Sequence, residues 1–97
     1  MDMFVSVIVE PAGLESAQSL TNLLTQSGFT KIQKGCWECM KVSESGLAQL
    51  KSNIDRVTDY YDRIRIYQFP VGGMFVITEL SQKRWRRCQM KGSVPGK

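Results

Sequence analysis

Histidine is absent from this chain, and so is any glycine-rich phosphate loop. Without imidazole no Ser/His/Asp set can be assembled, and acid–base chemistry falls to carboxylates, thiols, tyrosines or lysines. No apolar run approaches the roughly 18 residues of a membrane span. No basic segment precedes an apolar core at the N-terminus, so no signal peptide is read. The expectation is a cytoplasmic protein with no membrane partner. Cysteine is scarce: Cys36, Cys39 and Cys88 make an odd count, which suits free thiols. Cys36-Trp37-Glu38-Cys39 has the C-x-x-C spacing, but zinc needs further soft ligands, and on a strand residues three apart point to opposite faces.

The 97 residues fit one domain with one core, and a hydrophobic share of 42% fits a folded chain. The net charge of +4 is unevenly spread. From Lys83 onward stand six basic residues and no acid, whereas the preceding residues hold seven basic and nine acidic groups, a balance of −2. The reading is a near-neutral domain over 1–80 and a basic C-terminal tail over 81–97, suited to phosphates or an acidic surface.

Met3 to Val9 carries four β-branched aliphatics and is broken by Pro11, the pattern of a central strand buried on both faces. Leu14, Ala17, Leu20, Leu23 and Leu24 follow at helical spacing, and Gly28 suits a left-handed helix terminus. Phe29–Gln33 and Cys36–Val42, joined by Lys34-Gly35, read as a hairpin. Ser43 is an N-cap for a second helix with Leu47, Leu50, Ile54 and Val57 on its apolar stripe. After a polar aromatic loop at 59–62, Arg63–Phe69 alternates as a half-exposed strand. Met74–Thr78 is a fifth short strand beyond Gly72-Gly73.

The order β-α-β-β-α-β predicts an α+β, ferredoxin-like sandwich with an additional C-terminal strand. An extra strand after a Gly-Gly hinge finishes on an edge or pairs with another subunit. A homodimer is therefore expected, with Met74, Phe75, Val76 and Ile77 at the joint.

Two groups of residues are candidates for function. Glu10 is the acid at a strand tip beside a Pro/Gly loop, where α+β folds place working groups. One carboxylate is a poor cage for a divalent cation, but a two-fold axis would bring two copies of Glu10 together as catalytic and metal-binding groups. The second group is Lys83, Arg84, Arg86 and Arg87, interleaved with Trp85, a pattern that serves phosphate clamping and base stacking. Lys31, Lys34, Arg63 and Arg65 are secondary phosphate contacts if they lie on the same side.

Several short strings, in this order, resemble the CRISPR-associated Cas-two family over residues 3 to 80. They are an apolar first strand ending in an acid, Gly28-Phe29 leading to Ile32-Gln33, Gly35-Cys36-Trp37-Glu38, and Asp62-Arg63-Ile64-Arg65-Ile66-Tyr67. Val9-Glu10 stands where the family usually has Tyr-Asp, and the following Pro11-Ala12-Gly13-Leu14-Glu15 lacks the arginines often found there. The resemblance implies a homodimer that bridges a Cas-one integrase and holds duplex DNA during spacer acquisition in antiviral defense. It also implies magnesium-dependent endonuclease activity at the strand-tip acid, as some members are described. The alternative is a VapD-type toxin ribonuclease of the same fold, which shares a comparable string around 28–39.

Overall fold

The alternation of Met3, Val5 and Val7 with Phe4, Ser6 and Ile8 gives the first strand two different faces, and the computed structural model, which describes residues 2–88, uses them differently. Strand β1 (Met3–Glu10) turns Met3, Val5 and Val7 into the core, whereas Ile8 on the other face is 41% exposed. The strand is central but not buried on both sides as its apolar composition suggests, because both helices lie on one face of the sheet.

Helix α1 (Leu14–Gln26) buries Leu20 and Leu24, with Leu23 partly covered. Leu14, expected on this stripe, is 90% exposed at the first turn of the helix. The helix ends as its sequence predicts: Gly28 takes φ +88°, and the N–H of Phe29 returns to the carbonyl of Leu24 at 3.0 Å. Helix α2 (Glu44–Val57) starts where Ser43 Oγ accepts the N–H of Gly46 at 3.0 Å and buries Leu47, Leu50 and Ile54.

Between the helices lie β2 (Thr30–Gln33) and β3 (Cys36–Val42). The register pairs Cys36 with Ile8 and Cys39 with Val5, so the two thiols face opposite sides of the sheet, and both are free. Trp37 lies between them and is buried in the core.

Strand β4 (Arg63–Val71) pairs with β1 on the side away from β3. It sends Ile64, Ile66 and Gln68 toward the helices and Arg63, Arg65, Tyr67 and Phe69 outward, as its alternation predicts. At Gly72 and Gly73, both at positive φ, the chain makes a two-residue hairpin turn into β5 (Met74–Ser81). The Gly-Gly pair thus folds the fifth strand back onto its own β4. That strand ends three residues later than the sequence reading placed it.

A sixth strand, β6 (Arg84–Cys88), then pairs with β5 across Gln82 and Lys83. This part of the expected tail belongs to the sheet, and residues 89–97, including Lys91 and Lys97, lie outside the described residues. The antiparallel order is β2-β3-β1-β4-β5-β6. Its first four strands, with two helices on one face, are compatible with a ferredoxin-like fold. Among the described residues no helix is long and apolar enough to cross a membrane.

Candidate functional site

Glu10 ends β1 directly opposite Arg63 in the register, and its carboxylate lies 3.6 Å from the guanidinium. The same arginine donates to Glu79 Oε2 at 2.9 Å. Arg63 therefore stands between two carboxylates, in the place a bound cation would take. Glu79 is 7% exposed although it lies on the outer face, because Arg63, Arg65 and Cys88 close around it. The Arg63 hydrogen bond holds the Glu79 carboxyl below the usual carboxylate range, against the opposing effect of its burial. Glu10, with a side chain 74% exposed, is the solvated end of this cluster.

Magnesium takes carboxylates and waters in octahedral geometry. Among the described residues no three acids, cysteines or histidines converge on one point. A metal at Glu10 would require the second copy's carboxylate and displacement of Arg63.

A different acid, which the sequence reading leaves within a polar loop, is the best anchored in the molecule. Asp62 is 0% exposed. It accepts from the N–H of Ala12 at 2.7 Å, the hydroxyl of Ser16 at 2.9 Å and the N–H of Asp59 at 2.7 Å. These bonds tie the loop after β1 and the first turn of α1 to the loop before β4. The negative charge beside the start of α1 also suits the helix dipole.

The basic residues divide by face. The register across β5 and β6 sets Arg84, Arg86 and Cys88 on the outer face and Trp85 and Arg87 on the helix side. Trp85 packs against the core, with the Lys51 ammonium 5.4 Å from its ring centroid, so it is a packing residue of α2 and β6. Burial lowers the pKa of Lys51, and the nearby charge of Arg87 lowers it further.

Lys83 is committed elsewhere. Its ammonium donates to the carbonyls of Asp55 and Thr58 at the end of α2. It also pairs at 2.9 Å with Asp55 Oδ1, an ion pair rather than an aligned hydrogen bond. Cations at a helix C-terminus are favourable there, and this contact removes Lys83 from the freely presented charges.

Arg63 and Arg65 are likewise engaged within the sheet, Arg65 with Glu79, Cys88 and the Tyr67 ring. Among the described residues no ion pair engages Arg84, Arg86 or Arg87. Lys31 on β2 and Lys34 after it are exposed, but their hairpin forms the edge opposite β6. Five strand spacings of about 4.8 Å put the two edges roughly 24 Å apart.

The four residues expected at a dimer joint differ in exposure within the chain. Met74 and Phe75 are 67% and 51% exposed, Ile77 is half-buried, and Val76 is buried on the helix side. Phe75 stacks at 5.0 Å on Phe69 of β4. The outer face is therefore aromatic toward the Gly72–Gly73 turn and charged toward the Gln82–Lys83 turn. Comparison with protein families, curated proteins and solved structures gives no match for this chain.

Proposed function

We propose that the chain is a homodimeric subunit that holds duplex DNA and joins a Cas-one integrase, as its resemblance to the Cas-two family implies. In this reading it acts as a non-catalytic adaptor. The observation that supports it most is the sheet edge: β6 presents Arg84 and Arg86 on one face and Arg87 on the other, with no ion-pair partner among the described residues. Guanidinium groups on a rigid strand suit phosphates without reading sequence.

The dimer forms through the Gly72–Gly73 end of the outer face, away from Arg84 and Arg86 at the opposite end. That end carries half-exposed Phe69 and Phe75 in contact, with exposed Met74 beside them. Two such faces can pack about 10 Å apart, as sheets do in sandwiches. A clustered apolar patch of this kind marks an interaction surface.

The rival is magnesium-dependent cleavage by paired copies of Glu10. Against it stands Arg63, which already occupies the space between Glu10 and Glu79. Native mass spectrometry of the full chain tests the proposal: two-chain particles that take up duplex DNA and a co-expressed integrase support it. A one-chain particle at micromolar concentration would contradict it, and RNA cleavage with growth arrest on expression without any integrase would point instead to the toxin class.

A further inference from the structure

The loop at Tyr60 and the β5–β6 turn enclose a cleft of about 320 Å³ lined by Tyr60, Ser81, Gln82, Arg84 and Arg86. Its volume lies at the small end of the roughly 300–1,000 Å³ typical of ligand pockets, too small for a helix or a duplex groove. Two guanidinium groups supply charge-assisted donors, and the Ser81 hydroxyl and Gln82 amide add neutral ones. Tyr60 adds an aromatic surface that is 47% exposed. Tyr61 meets it nearly perpendicularly, at 82° and 5.1 Å, which leaves at least one face of the Tyr60 ring uncovered by that neighbour.

The walls are held from beneath. Asp62 fixes the Tyr60 loop through the N–H of Asp59, and Lys83 fixes the turn to the end of α2. The turn itself holds Gln82 at φ 54° and Lys83 at φ 61°, conformations that L-residues other than Asn and Asp rarely adopt.

We infer that this cleft is a binding site for a nucleotide carrying a terminal phosphate, with the phosphate between Arg84 and Arg86 and the base stacked on Tyr60. The ligand is either a 5′-phosphorylated strand end or a free nucleoside monophosphate. An internal duplex step does not qualify, because its bases are stacked on one another. The site deepens the nucleic-acid reading above and rests on it only for the identity of the polymer.

Calorimetric titration of the full chain tests it with four probes: a 5′-phosphorylated tetranucleotide, its unphosphorylated twin, adenosine 5′-monophosphate and inorganic phosphate. The phosphorylated strand should bind at least about 10-fold tighter than its twin, the scale of one charge-assisted contact. Tyr60→Ala should weaken both phosphorylated nucleotide probes by on the order of 10-fold while leaving inorganic phosphate unchanged, and Tyr60→Phe should retain binding. Arg84→Gln with Arg86→Gln should weaken every phosphorylated probe; circular dichroism checks that the fold is kept.

Equal affinity for the monophosphate and the strand identifies a free nucleotide as the source, and tighter strand binding identifies a strand end; either supports the site. No preference for the phosphorylated strand, no effect of Tyr60→Ala or of the arginine pair, or no binding of any probe would overturn it. Duplex uptake and dimer mass are read separately, so loss of the phosphate preference alone leaves the adaptor reading standing.

Discussion

The two faces of the sheet follow different rules. On the helix side, β1 and β4 place Val5, Val7, Ile64 and Ile66 at 1% exposure or less. The polar group sealed at the margin of that side, Asp62, has three donors. On the outer side the same strands present Ile8, Phe69, Arg63 and Arg65, and the buried acid Glu79 is satisfied by side chains that solvent still reaches. One face therefore maintains the fold. The other has been left adhesive and charged, at some risk of association, which is intelligible if association is its purpose.

The sharpest break of this contrast is Asp62→Ala. Removing an acceptor of three hydrogen bonds should lower stability by about 3 kcal/mol, measured by urea unfolding. By contrast, Phe69→Ser combined with Phe75→Ser should leave monomer stability nearly unchanged but shift the sedimentation profile to the single-chain species.

The β5–β6 turn gives a smaller effect. Lys83→Ala loses the contacts to the end of α2 and should cost about 1 kcal/mol. Gln82→Gly relieves a left-handed residue without losing a contact to the helix, and it should be neutral or gain a few tenths of a kcal/mol. Equal losses in the two variants would mean that the turn conformation, not the Lys83 cap, carries the stability.

The smallest effect is acid-specific. Because the folded-state pKa of Glu79 lies below its unfolded value, its contribution is fully present above the ordinary carboxylate value of about 4.3 and is lost as pH falls through the lower folded value. Glu79→Gln should lower the melting temperature modestly at neutral pH and flatten its decline below pH ~4.3. Parallel declines for variant and wild type would separate Glu79 from the acid transition.

The contrast between faces also explains which features the sequence made legible. The apolar stripes of both helices apart from Leu14, the Ser43 cap, the Gly28 terminus and the alternation of Arg63–Phe69 are local patterns, and the structure reproduces them. β6 was hidden because an edge strand of five residues needs one inward anchor, Trp85, and its turn uses Gln82-Lys83 in place of the usual Asn-Gly. Asp62 was hidden for a different reason. Two of its three donors, Ala12 and Ser16, are 50 and 46 residues away, and nothing local announces them. The engagement of Arg63 by Glu79 likewise depends on the register between β4 and β5, which no single strand reveals.

The central claim, that the arginines of β6, unpaired among the described residues, hold nucleic acid, is tested most directly by the salt dependence of duplex DNA binding. Wild type should show a steep negative slope of log affinity against log salt. Arg84→Ala, Arg86→Ala and Arg87→Ala together should reduce that slope by roughly three phosphate contacts' worth and weaken binding uniformly across sequences. An unchanged affinity and slope in the triple variant, with the fold intact, would contradict the account.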